Sequence, residues 1–181
     1  MLALRDMRDE TGGHERHDPL PADFDALRTA LHSDKPAQAA VVALIAFHGL
    51  RAGQILRLLV TDVRDRKLRV DGRIIPLAEP VQQGLAAWLD HRNTRWPAST
   101  NPYLFVHYRS AGRDEPVGRR WVWLTVGPDL SAAAIHQDRI LDEAHASGGD
   151  PRRLANLFGL SIEAGQHYTA TVDHSDLLRP T

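Results

Sequence analysis

The chain has 181 residues, of which 43% are hydrophobic and 25% charged, a composition typical of a globular protein rather than a disordered or fibrous one. It contains no cysteine, which excludes disulfides, thiolate catalysis and cysteine-ligated metals. The longest apolar run, Ala39 to Phe47, is about half a membrane span, and the N-terminus lacks a secretory core. These features predict a soluble, cytoplasmic protein with one domain over residues 21–181, preceded by a loose tail over residues 1–20.

The net charge of −1 conceals an uneven distribution of charge along the chain. Residues 51–73 carry seven basic and three acidic side chains, residues 91–121 carry six and two, and both ends of the chain are acidic. Arginine accounts for 20 of the 22 basic residues, and its guanidinium binds phosphate in a bidentate manner. The two basic blocks indicate a polyanionic partner, with compositional bias toward arginine as the alternative explanation.

The predicted elements give a mainly α fold with a small β-hairpin (α+β). Prolines at first-turn positions and glycines after apolar stretches mark helix starts and ends. The dipeptide Asp71-Gly72 between two short β-prone runs predicts a two-residue hairpin turn. In chain order we expect helices from Pro21, over 37–48 and over 51–60; hairpin strands at 67–70 and 73–77; a helix over 80–92; a strand at 103–107; a loop over 112–118; and helices over 132–146, 150–158 and 161–170.

Arg51 follows the second predicted helix in the segment His48-Gly-Leu-Arg51 and begins the third. A helix N-terminus adds backbone N–H donors beside the guanidinium, so this residue is a candidate for binding a phosphate. The alternative is that Arg51 pairs with Asp62 or another nearby carboxylate.

His136 and Arg139 are the second candidate pair, on the helix predicted over 132–146. Their i, i+3 spacing places an imidazole and a guanidinium on one helix face, which combines proton transfer with anion binding. The alternative is a solvated face, because Asp138, Asp142 and Glu143 surround the pair.

Residues 150–170 form the third candidate region. Two short helices joined by Gly-Leu-Ser161 resemble a helix-turn-helix, a common DNA-binding motif. Tyr168 lies in the second of these helices beside Gln166 and His167, so its hydroxyl is expected to face solvent. The alternative is an ordinary packing residue.

The order of these features resembles the catalytic domain of tyrosine recombinases, of the phage integrase and Xer type, over about residues 21–171. In that family the Gly-Leu-Arg motif carries the first catalytic arginine, which matches Arg51. The His-x-x-Arg motif matches His136 and Arg139, and the C-terminal nucleophile matches Tyr168.

The sequence also departs from the family pattern. The hairpin turn, which usually carries a catalytic lysine, is Asp71-Gly72 here, and Gln54 stands where an acidic residue is common. Leu160 replaces the usual His or Trp, and Ile140 replaces a frequent second His. No segment matches the separate N-terminal domain that clamps DNA. The resemblance therefore implies a degenerate catalytic domain or a fragment of a larger integrase.

The resemblance implies cleavage and rejoining of double-stranded DNA through a phosphotyrosine, without metal or cofactor and with self-assembly on DNA. Arg51 and Arg139 would stabilise the phosphorane-like transition state, and His136 would assist proton transfer. Without the lysine the enzyme would be slow or inactive. Basic residues expected to contact DNA are Arg73, Lys67, Arg119 and Arg120.

Two other functions compete with this one. The first is a non-catalytic DNA-binding protein that uses the helix-turn-helix at 150–170. The second is an interaction module without a nucleic-acid role, which the net charge of −1 and the pI near 6.8 favour.

Overall fold

A computed structural model describes residues 23–176, with side chains described over residues 23–170. The predicted tail over residues 1–20 and the expected helix start at Pro21 lie outside the described residues. Within the described part, the chain is mainly helical with a three-stranded antiparallel sheet, so the predicted fold class is confirmed. The helices, numbered in chain order, are α1 (Phe24–Leu31), α2 (Pro36–His48), α3 (Ala52–Arg57), α4 (Glu79–Arg95), α5 (Arg119–Val126), α6 (Ala132–Ala146), α7 (Pro151–Phe158) and α8 (Ile162–Asp176).

Helix α2 is the centre of the fold because it is apolar on all sides, and residues 40–45 are entirely buried. It packs against α1, α4, α5 and α6. Helix α4 approaches closely, since a Cβ on Gly84 would lie 3.2 Å from the Cα atom of Ala40. The central helix therefore fixes the positions of the elements that follow it, including α6.

The sheet consists of β1 (Val63–Arg64), β2 (Lys67–Val70) and β3 (Arg73–Pro76), in that order. The predicted hairpin is confirmed, with Val70 opposite Arg73 across the two-residue turn. Asp71 and Gly72 both have positive φ, 46° and 75°, as a primed turn requires. The short strand β1 was not predicted, because two residues are too few to show an alternating pattern.

The prediction of a strand at residues 103–107 is wrong apart from one isolated bridge between Leu59 and Tyr103. Leu104, Phe105 and Val106 are all buried, so the run fills the core rather than forming a ladder. Helix α5 was missed because its β-branched and aromatic residues obscure a helical pattern in which Val122 and Val126 are buried one turn apart.

The third predicted helix is shorter than expected. It ends at Arg57 as α3 and is followed by a 3₁₀ turn over Val60–Asp62. By contrast, the helix predicted over 132–146 matches α6, and the two helices predicted around Gly159 are α7 and α8. No helix in the described range 23–176 combines the length and the apolar character needed to cross a membrane.

Two apolar clusters lie inside the fold. The larger is built around α2 and α4, and the smaller joins α6, α7 and α8. The smaller cluster comprises Ile140, Ala144, Leu154, Phe158 and Leu160, with Ala164 and Tyr168 packed against it. Of the candidate residues, Tyr168 packs on the smaller cluster.

Candidate functional site

Arg51 and His136 are in contact although 85 positions separate them. Arg51 Nε donates to His136 Nε2 over 3.5 Å, and His136 Nδ1 lies 2.7 Å from the carbonyl oxygen of Gly49. Because a carbonyl only accepts hydrogen bonds, Nδ1 of His136 carries the proton and Nε2 is the acceptor. The ring is therefore a neutral imidazole. The structure thus joins the first two candidate regions of the sequence.

The orientation of Arg51 follows from the helix that it precedes. Its backbone N–H donates to Gln54 Oε1 over 2.8 Å at the start of α3. The alternative pairing with Asp62 is wrong, since Asp62 instead accepts from the backbone of Leu59. Arg51 is exposed, and its terminal amino groups have no partner among the described side chains. These amino groups are therefore available to an anion.

Arg139 lies one turn beyond His136 on α6 and is held from three sides. Its Nε donates to the carbonyl of Phe47 over 3.3 Å, and one terminal nitrogen lies 2.8 Å from Glu143 Oε2. Its guanidinium carbon lies 5.4 Å from the ring centroid of Phe158. One edge of Arg139 is therefore bound within the protein, while its other terminal nitrogen has no partner among the described residues.

Glu143 was interpreted as part of a solvated face, and this is wrong because only 8% of the residue is exposed. Its second oxygen, Oε1, accepts from Arg153 Nε on α7 over 2.7 Å. The hydrogen bonds from Arg139 and then Arg153 hold the pKa of Glu143 below its ordinary value. The i, i+4 spacing of Arg139 and Glu143 was the available sequence signal for half of this arrangement.

Two imidazoles beside these arginines are held in the neutral form. Burial lowers the pKa of His136. The hydrogen bond to Gly49 opposes this shift, and the charge of Arg51 adds to it. Burial also lowers the pKa of His48, followed by the effect of Arg139, and its Nε2 accepts from the backbone N–H of Ala78 over 3.2 Å. His48 was not predicted from the sequence as a residue of the site.

These two histidines predict a pH dependence of stability. A histidine whose folded pKa is lowered binds protons more readily when unfolded, so the free energy of unfolding decreases as the pH falls from 6.5 through the lowered values. Urea unfolding between pH 7.5 and 5 should show this decrease, and the double variant His48→Gln/His136→Gln should reduce the slope. Equal slopes for the parent and the variant would contradict the assignment.

The hairpin turn links a carboxylate to Arg51 through Gln54. Asp71 Oδ2 accepts from Gln54 Nε2 over 2.7 Å, and Gln54 is the residue that also binds the backbone of Arg51. Arg57 at the other end of α3 lies 3.7 Å from the same carboxylate. An acid group thus stands at the turn where the family resemblance implies a lysine.

Tyr168 lies on α8 and packs on the smaller cluster, which also contains Phe158 beneath Arg139. It is half-buried and lines a shallow surface pocket together with Ser161 and Glu163. None of the described side chains forms a hydrogen bond with its hydroxyl. Tyr168 therefore packs on the cluster that contains Phe158, over which Arg139 lies, and makes no described contact with Arg51 or His136.

Of the expected DNA-contacting residues, Lys67, Arg119 and Arg120 are exposed. Arg119 and Arg120 begin α5, which packs against α3. Arg73 differs, since it donates to the carbonyls of Leu157 and Asn156 over 2.5 and 3.3 Å, at the C-terminal end of α7. Arg73 therefore joins the hairpin to α7, and its contact with DNA stays a prediction.

No group of three or more histidine, aspartate or glutamate side chains that could hold a metal occurs within the described part of the chain. The described candidate residues supply guanidinium groups, neutral imidazoles and a phenol. Such groups suit anion binding and proton transfer.

No protein-family model matches the sequence, and no curated protein matches it. Solved structures do match the fold. XerA recombinase matches with a TM-score of 0.68 and 22% identity over 90% of this chain and 66% of that one. The XerH site-specific recombinase in its pre-cleavage complex with difH substrate has a TM-score of 0.63 and 14% identity, over 90% and 53% of the two chains.

A third similar structure is the Tn1549 transposon integrase in complex with transposon right end DNA. Its TM-score is 0.59 at 15% identity, and the match covers 92% of this chain and 69% of the integrase chain. This chain spans 66% of the length of XerA and 53% of that of XerH. At these identities the likeness establishes the fold, which is like that of the tyrosine-recombinase catalytic domain.

Proposed function

We propose that this chain is a tyrosine-recombinase-type domain that cleaves and rejoins double-stranded DNA through a phosphotyrosine intermediate. The observation that carries the proposal is the contact between Arg51 and His136, on a fold like that of recombinases solved with DNA. Two residues matched to separate motifs meet at one place. A protein that used only a helix-turn-helix would have no need of this contact.

In the proposed reaction, the Tyr168 oxygen attacks a backbone phosphorus. A bond from Tyr168 to phosphorus forms, the bond from phosphorus to the 5′ oxygen breaks, and the 5′ oxygen takes up a proton. The phosphotyrosine conserves the bond energy, so attack by a 5′ hydroxyl reverses the step. Neutral His136 accepts the tyrosine proton, and Arg51 with Arg139 stabilises the added negative charge on phosphorus.

The residues of the hairpin turn lead us to expect a slow reaction. The turn carries Asp71, bound by Gln54 and Arg57, at the place where the family resemblance implies a lysine that protonates the departing oxygen. Loss of one general acid typically costs about 10²–10⁴ in rate. We therefore expect strand cleavage to be slow even with the arginines in position.

Covalent adduct formation tests the proposal. The protein is incubated with duplex DNA that carries a nick in the cleaved strand, a few nucleotides to the 3′ side of candidate cleavage positions. The short fragment that bears the 5′ hydroxyl then dissociates, which traps the phosphotyrosine, and the products are separated on a denaturing gel. We expect a protein–DNA adduct that accumulates over hours and is absent with Tyr168→Phe. DNA that binds tightly without any adduct would refute the catalytic role.

Two observations favour the non-catalytic alternative, in which α7 and α8 bind DNA as a helix-turn-helix. Arg139 is already paired with Glu143, and Tyr168 is not in contact with the other candidate residues. If this alternative holds, Arg51→Gln and Tyr168→Phe leave DNA affinity unchanged, and no adduct forms with any variant.

A further inference from the structure

Arg153 belongs to neither the family motif nor the basic blocks, yet it reaches the candidate site. It lies in the first turn of α7, and its Nε donates to Glu143 Oε1 over 2.7 Å. The other oxygen of the same carboxylate lies 2.8 Å from Arg139. Two guanidinium groups from different helices are therefore neighbours on one nearly buried carboxylate.

Two guanidinium groups share one carboxylate in this cluster. Arg139 and Arg153 each carry one positive charge and both bind Glu143, and they lower its pKa so that the carboxylate stays ionised. The nearby carboxylate of Asp150 accepts from the backbone N–H of Arg153 and forms no ion pair with its guanidinium among the described residues. The guanidinium nitrogens that Glu143 does not bind therefore present positive charge to an added anion.

The hydrogen-bonding geometry directs this charge outward. Glu143 engages Arg153 through Nε, and the terminal amino groups of Arg153 have no partner among the described side chains. The side chain of Arg153 is 59% exposed, against 25% for Arg139. Arg51 shows the same pattern, with its Nε on His136 and its terminal amino groups outward. Three arginines are thus anchored by part of the guanidinium and present the remaining donors.

We propose that Arg153 is a third phosphate-binding arginine of this site, positioned next to Arg139 by the shared carboxylate of Glu143. The inference rests on the proposed function, because the phosphate is taken to be that of a DNA backbone. Glu143 acts as a positioning residue that fixes the spacing of the two guanidinium groups. Arg153 then contacts a backbone phosphate beside the one that Arg139 would bind.

The neighbouring Arg152 provides a matched control. It lies in the same turn of α7, is exposed, and makes no ion pair within the described residues. Arg152→Gln and Arg153→Gln remove the same charge from the same helix, one residue apart. A general electrostatic contribution affects both variants equally, whereas a specific phosphate contact affects only Arg153→Gln.

The experiment measures affinity for a short fluorescent DNA duplex of arbitrary sequence by anisotropy over a series of NaCl concentrations. For Arg153→Gln we expect about tenfold weaker binding at low salt. We also expect the slope of log K against log salt to fall in magnitude by about 0.9, the loss of one phosphate contact. Arg152→Gln should remain near the parent in both quantities.

Thermal unfolding of each variant separates a structural role from a binding role. If Arg153 only stabilises the fold through Glu143, its variant has a lower Tm and an unchanged salt slope, and the inference is overturned. Equal slopes for the Arg152 and Arg153 variants also overturn it. In either case, a lower salt slope for Arg51→Gln would still support the proposed function. A parent protein that does not bind the duplex at low salt would refute both the proposed function and the inference about Arg153.

Discussion

Replacement of Gly49 by alanine is expected to destabilise the protein by about 2–4 kcal/mol, a large part of the stability of an ordinary domain. Gly49 ends α2 with φ of 59°, a conformation that side chains disfavour. An added Cβ would lie 2.6 Å from Cδ1 of Phe158, which is buried. Neither group has space to move, so the cost combines backbone strain with overpacking.

Two other glycines separate these contributions in urea unfolding. Gly72→Ala has positive φ but open space around it, so it should show the strain alone, about 1–2 kcal/mol. Gly53→Ala lies within α3 with no atom in reach and should be neutral or stabilising by up to about 1 kcal/mol. A loss for Gly49→Ala no larger than that for Gly72→Ala would contradict the contact with Phe158.

The contact between Gly49 and Phe158 also concerns the site, because Phe158 lies beneath Arg139 and the Gly49 carbonyl binds His136. Relief of the steric clash provides an internal check. The double variant Gly49→Ala/Phe158→Leu should lose less stability than the sum of its two single variants, since the smaller side chain makes room for the added methyl group.

Loss of Arg51 is expected to have the largest effect on the chemical step. Arg51→Gln should lower the rate of adduct formation at saturating protein by about 10²–10³, the typical cost of one donor to a developing negative charge. Arg51→Lys should recover little, because an ammonium lacks both the Nε contact with His136 and the planar pair of amino groups. Quenched time courses on the nicked duplex give these rates.

Arg57→Gln is the control, since Arg57 is exposed at the end of the same helix and pairs with Asp71 rather than His136. It should retain a rate within a few-fold of the parent. The pH profile adds a second criterion. The charge of Arg51 lowers the pKa of His136, so Arg51→Gln should move the acid limb of the profile to higher pH. Equal rates for the Arg51 and Arg57 variants would refute the catalytic assignment.

Several elements could be predicted from the sequence because their signals are local. The apolar composition of α2, the proline at its start and Gly49 at its end specify that helix within the chain itself. The Asp71-Gly72 turn has the positive φ values that its residues favour. The strand prediction at residues 103–107 was wrong because a continuous apolar run shows no alternation of apolar and polar residues. Without that alternation a strand cannot be distinguished from irregular chain buried in the core.

The helical fold class and the hairpin could be predicted from the sequence because short-range spacing encodes them, and the motifs around Arg51, His136, Arg139 and Tyr168 are local in the same way. The packing of the folded chain, in contrast, brings Arg51 to His136, Arg73 to the end of α7, and Glu143 to both Arg139 and Arg153. These contacts join residues from different helices and strands. Their partners are set by how α2, α6 and α7 pack around shared apolar clusters, which no local pattern encodes.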